Sequence, residues 1–145
     1  MKTLVLIASL GLLAAGSSHA SDQQAAPRAL LLGAQCLDPA FARGWVYLDD
    51  RHILVDAGRY RYRIEFSSSC QDIGWTPVIG FRGDPVGGRV CGGPFDAVLT
   101  RDIPCRIQHM DVITRDQYNA IESQHSRDRK DRRAARRRVK AAGSP

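Results

Sequence analysis

The sequence predicts a small, mainly β domain: an antiparallel meander or barrel-like sheet with two disulfides, a short C-terminal helix and a flexible basic tail. Three observations predict it. Residues 59–66, RYRYRIEF, alternate strictly, with Tyr60, Tyr62, Ile64 and Phe66 on one face and Arg59, Arg61, Arg63 and Glu65 on the other. Successive strand side chains point to opposite faces, so this pattern means one buried and one wet face. Residues 34–113 hold several further short runs of β-branched and aromatic residues, punctuated by Gly, Pro and Asp. Four cysteines, Cys36, Cys70, Cys91 and Cys105, all lie in this region, downstream of an N-terminal stretch with the marks of an export signal.

That stretch, MKTLVLIASLGLLAAGSSHA, carries Lys2, an apolar run over residues 4–15, and small residues at Ser18 and Ala20. This is the layout of a secretory signal peptide, residues 1–20, cut after Ala20. The run is shorter than the ~20 residues that a permanent membrane helix needs. The expected location is therefore periplasmic or secreted. In an oxidising compartment an even number of cysteines reads as disulfides. No C-x-x-C pair is present, and His109 alone lies near Cys105, so metal and redox readings are weak. The sequence calls for no metal and no cofactor.

The strands follow in order. WVYL (45–48) turns at Asp49-Asp50-Arg51 into residues 53–56. Ala57-Gly58 reads as a two-residue hairpin turn, with Gly58 supplying a positive φ. That register sets Asp56 opposite Arg59, Val55 opposite Tyr60, Ile53 opposite Tyr62 and His52 opposite Arg63. PVIGF (77–81) and GRVC (88–91) flank the turn RGDPVGG, and FDAVLT (95–100) and CRIQHMDVI (105–113) complete the β domain, residues 34–113. In a simple meander, Cys70 after the third strand and Cys91 at the end of the fifth fall at one end of the sheet. Cys36 and Cys105 then fall at the other. This parity favours the pairs Cys36–Cys105 and Cys70–Cys91.

After Ile113 the pattern changes. Thr114 with Gln117 three residues later forms a capping box, which opens a helix over residues 114–126. Tyr118 and Ile121 share the face that packs on the sheet. Residues 127–145 form a basic tail with nine Lys and Arg against two Asp, a net +7. Residues 21–126 hold eleven Arg and thirteen Asp and Glu, a net −2. The chain's +6 is thus a property of the tail. With no apolar stripe, the tail is expected to fray.

Few residues call for catalysis. His52 has Asp49, Asp50 and Asp56 nearby, but an Asp-rich turn accounts for them. Ser67-Ser68-Ser69 lacks a nucleophile-elbow context. Gly87-Gly88 and Gly92-Gly93 lack the spacing of a phosphate loop. The sharper candidates are cationic. Arg59, Arg61 and Arg63, spaced about 6.6 Å apart along one strand face, form a row suited to carboxylates or phosphates. Pairing with nearby Asp side chains competes with that use. In the tail, Arg132, Arg133, Arg136, Arg137 and Arg138 attract polyanions. Outside the cytoplasm these are anionic lipid, lipopolysaccharide or a cell-wall polymer. Nucleic acid is not expected for an exported chain, and the tail has no aromatic residue for base stacking.

One set of motifs resembles a known family. WVYLDDRHILV (45–55), YRIEF (62–66), Cys70, RVC (89–91) and CRI (105–107) with Met110-Asp111 are similar to small secreted bacterial proteins of the domain-of-unknown-function family 6491. The resemblance covers residues 34–114 and leaves the tail outside. It implies a bacterial, periplasmic protein and brings no catalytic residues.

The functional expectation is a non-enzymatic binding or accessory protein that touches anionic envelope components. The alternative is a secreted enzyme inhibitor that presents a rigid loop, RGDPVGG, to an enzyme cleft.

Overall fold

The computed structural model describes residues 30–143. The predicted leader, residues 1–20, lies outside the described residues. Six strands make one antiparallel, half-barrel sheet: β1 (Gly44–Asp49), β2 (His52–Ala57), β3 (Tyr60–Phe66), β4 (Gly80–Arg82), β5 (Ala97–Leu99) and β6 (Pro104–Ile113), in spatial order β1-β2-β3-β6-β5-β4. One helix, α1 (Arg115–Ala142), follows.

The alternating segment forms β3 as predicted. Tyr62, Ile64 and Phe66 are buried, Tyr60 is half-buried and Arg63 is exposed. With Ile53, Val55, Val98, Ile107 and Met110 they fill the concave face. In β6 the buried positions pass from Cys105 and Ile107 to Met110. This change of parity marks a bulge: the β3 register slips between the pairs Glu65↔His109 and Phe66↔Ile107. The Arg51 guanidinium braces the bulge by donating to Phe66 O at 3.2 Å and to Gln108 Oε1 at 3.3 Å.

The hairpin register differs from the expected one. The turn residues are Gly58 and Arg59, so Ala57 pairs with Tyr60, Asp56 with Arg61, Val55 with Tyr62, Ile53 with Ile64 and His52 with Glu65. The slip is two residues. It keeps every side chain on its face and changes only its partner, because the strand repeats every two residues. Gly58 holds φ +74, and the Asp56 carboxylate accepts its N–H at 2.7 Å.

The disulfides also differ from the expected pairs. Cys36 bonds Cys91, and Cys70 bonds Cys105. Two features of the topology set these partners. The predicted strand over residues 88–91 forms only a single bridge, Leu37↔Val90, which sets Cys91 beside Cys36. The last strand then returns to the middle of the sheet, where its start meets the end of β3, and there Cys105 reaches Cys70.

Thr114 caps α1 as predicted: its hydroxyl accepts from Gln117 N at 3.1 Å, and Gln117 Oε1 accepts from Thr114 N at 2.8 Å. The helix lies against β1 and β3 and so crosses β2 on the convex face. Leu54 of β2 is fully buried, although it shares a row with Val46, Arg63 and Asp111. The helix does not stop near residue 126 but runs to Ala142. Ala and Arg are strong helix formers, and Gln124 bonds Asp128 at 2.9 Å and Arg127 at 2.7 Å along one face.

A non-reducing peptide map should recover Cys36 linked to Cys91 and Cys70 linked to Cys105; peptides joined as Cys36–Cys105 would refute this topology. Replacing both Cys70 and Cys105 by Ser should lower the unfolding free energy by roughly 2–5 kcal/mol, read by chemical denaturation.

Candidate anion-binding site

The Arg59, Arg61, Arg63 row does not act as one clamp. Arg59 sits in the hairpin turn, with its guanidinium carbon 5.4 Å from the Tyr60 ring centroid. Arg61 points under the helix. Its Nη2 lies 3.4 Å from Asp56 Oδ2, and its guanidinium carbon lies 6.0 Å from the Tyr118 ring centroid. Its side chain is only 11% exposed, so it is a packing residue for α1 rather than a contact for outside anions. Arg63 opens to solvent in a shallow hollow with Glu65, His109 and Asp111, opposite Asp111 in the register. The cross-strand pairing that competed with anion binding at the sequence level therefore claims Arg61.

The tail residues have another fate. Every residue of α1 from Arg129 onward is exposed. At 100° per residue, Arg129, Lys130, Arg132, Arg133, Arg136, Arg137 and Lys140 fall within an arc of about 160°. Asp128, Asp131, Ala134, Ala135 and Val139 fall opposite, together with Arg127 and Arg138. The helix thus gathers seven of the nine basic side chains of residues 127–145 into one continuous face. Arg138, named with the other tail arginines from the sequence, lies off this face.

The histidines serve turns and strands. His52 Nδ1 lies 2.9 Å from Asp49 Oδ1, and Asp49 also accepts the Arg51 N–H at 2.8 Å, which closes the β1–β2 turn. Burial raises the Asp49 carboxyl, but the Arg51 N–H and the His52 ring outweigh it and hold the group below its ordinary value. His109 Nε2 lies 2.7 Å from Asp111 Oδ1 on the same strand face. Among the described residues no three His, Cys, Asp or Glu side chains are grouped to hold a metal ion. No helix among them is long and apolar enough to cross a membrane.

Sequence reasoning missed Asp96, the one buried charged residue among those described, at 4% exposed. Its Oδ2 accepts three backbone N–H groups, from Cys91 at 2.7 Å and from Gly92 and Gly93 at 2.9 Å. This carboxylate organises the segment after the Cys36–Cys91 bond. The signal was present: two consecutive glycines followed within four residues by an Asp allow a side chain to close the loop on itself.

Asp96→Ala should lower the unfolding free energy by roughly 1–3 kcal/mol, because three part-buried N–H groups lose their acceptor. Asp96→Asn keeps one oxygen and should lose less. Equal denaturation midpoints for Asp96→Ala and the parent would show that the carboxylate anchors nothing.

No curated protein and no solved structure is detectably similar to this chain. One family is. Its match is wider than the motif resemblance over residues 34–114, since it takes in residues 1–33 and α1 as far as Lys130. Arg132, Arg133, Arg136, Arg137 and Arg138 lie beyond it. The sequence pattern of DUF6491, a family of unknown function, matches residues 1–130, and the chain belongs to that family.

Proposed function

We propose that the protein is an exported, non-enzymatic binding module that uses the C-terminal half of α1 to engage the anionic surface of the cell envelope. The observation that carries this reading is the basic face of α1. Seven cationic side chains line one side of an exposed helix, while the folded body is close to neutral. A flat anionic surface can meet such a face at once, with a gain of about 1 kcal/mol for each Lys or Arg held near it. The face carries no large apolar side chain, so the attraction is electrostatic and falls with salt. Export is supported by the leader pattern and by four cysteines that are all in disulfides.

Purified protein should sediment with phosphatidylglycerol vesicles and not with phosphatidylcholine vesicles. Replacing Arg132, Arg133, Arg136 and Arg137 by Gln should weaken the interaction by roughly a thousandfold, and added salt should weaken it progressively. Equal sedimentation of parent and variant, or equal binding to neutral vesicles, would sink the reading.

A second reading, enzyme inhibition, draws support from the loop over residues 82–88. Its ends are tied by Asp84 N donating to Arg89 O at 2.9 Å, Asp84 Oδ1 accepts the Val86 N–H at 2.9 Å, and Val86 at the tip is 95% exposed. A rigid apolar tip is the shape that a cleft can accept. On this reading the protein co-purifies with an envelope enzyme, and Val86→Asp abolishes the capture; capture unaffected by that change would exclude the loop.

A further inference from the structure

A cleft of about 410 Å³ opens beside the β2–β3 hairpin, at the end of the sheet where Cys36 bonds Cys91. Its walls are apolar: Tyr60, Tyr62, Ala57 and the Cys36 side chain, with Phe41 at the lip, 62% exposed. Three arginines, Arg43, Arg59 and Arg89, line it as well, against a single carboxylate, Asp38. The Asp38 side chain is engaged in accepting the Ala40 N–H at 3.0 Å. Among the described residues none of the three arginines is in an ion pair. The Arg89 guanidinium makes one long contact, 3.5 Å to Gly33 O.

These arginines come from three separate segments, two of which are tied to the sheet by backbone hydrogen bonds. Arg43 N donates to Asp56 O at 2.8 Å, which extends the β1–β2 ladder. Its guanidinium lies against Gly58, where an added Cβ would stand 3.1 Å from the guanidinium carbon. Arg43 and Arg59 therefore share one side of the hairpin turn. Arg89 precedes Val90, whose N–H and C=O pair with Leu37 at 2.9 and 2.8 Å. The Cys36–Cys91 bond locks that pair of segments together. At the bottom of the cleft the Tyr62 hydroxyl donates to Gln35 O at 3.1 Å, so the buried polar atom there is already satisfied. Burial, with the charge of Tyr60 second, pushes this phenol up to about 12, so it stays neutral.

We propose that this cleft binds an amphiphile with a carboxylate or phosphate head and one apolar tail. A bare hydrated anion would gain nothing from the aromatic walls. A neutral apolar molecule would leave the guanidinium groups unused. Planar guanidinium forks match carboxylate and phosphate oxygens, and the volume falls in the ordinary range of small-molecule sites, about 300–1,000 Å³. The tail packs against Tyr60, Tyr62 and Phe41. The head lies at the rim between Arg59 with Arg43 on one side and Arg89 on the other. The site is independent of the basic face of α1.

Calorimetry on the disulfide-bonded protein tests this with four probes: decanoate, decyl phosphate, decanol and inorganic phosphate. The first two should bind at one site per chain, and the last two about tenfold more weakly or worse. The combined change of Arg43, Arg59 and Arg89 to Gln should weaken decanoate and decyl phosphate by at least about tenfold. Gln at Arg132, Arg133, Arg136 and Arg137 should leave them unchanged, which separates the cleft from the helix. If the triple variant does not fold, the exposed turn change Arg59→Gln alone should still weaken both anions. Decanol binding as tightly as decanoate, inorganic phosphate matching decyl phosphate, or an unchanged affinity in a folded arginine variant would each overturn the proposal.

Discussion

The fold depends on β6 serving two sheets' worth of partners at once. Residues 104–106 pair with β5, and residues 107–113 pair with β3. The hand-over falls at the Gln108 bulge, where the strand must change which side chains it buries. Without this shared strand the short pair of β4 and β5 would have no neighbour, and an isolated two-stranded ribbon is marginal in water. The Cys70–Cys105 bond fixes the place where the two halves join, and closing a loop of 35 residues removes freedom from the unfolded chain. Core side chains from both halves then meet: Phe66 and Ile64 from β3 with Val98 from β5.

The same constraint determines where the charges go. Because β3 lies between β2 and β6, its outer face is flanked by Asp56 and Asp111, and α1 lands on it. Arg61 is drawn into that contact and Arg63 is surrounded by acids, so a row of arginines in one dimension becomes packing in three. Three other arginines, Arg43, Arg59 and Arg89, line the cleft at the end of the sheet, where the hairpin turn and the Cys36–Cys91 segment approach one another. A helix that packs through one buried residue, Tyr118, and then runs on exposed keeps its own charges separate from both sites. Two cationic surfaces of different character result: a shallow cleft with aromatic walls and a long polar face.

Much of the fold was legible because its signals are local. The alternation of Tyr60, Tyr62, Ile64 and Phe66 needs only the pleat of a strand. The capping box of Thr114 and Gln117 needs only one turn of helix. The candidate site was less legible. Arg59 was visible as part of a row, but its use depends on Arg43 and Arg89, which belong to segments far apart in the chain. The strand expected over residues 88–91 shrank to one bridge: the Gly88 N–H is taken by Asp84 O within the loop and the Cys91 N–H by the Asp96 carboxylate, which leaves Val90 to pair with Leu37. The helix ran past the expected end because Arg and Ala carry helix propensity without any apolar stripe.

The sequence by itself determined the strand faces, the class of fold, the helix start and the sign of the C-terminal half of α1. Each of these follows from residues within a few positions of one another. Only the tertiary structure decided the hairpin register, the disulfide partners and the cleft. A slip of two residues preserves every hydrophobic face, so alternation cannot choose between registers. Likewise, a cysteine's place at a strand end does not say which strand returns to lie beside it. Those choices are made where distant segments compete to fill one core, and β6 entering the centre of the sheet settled them together.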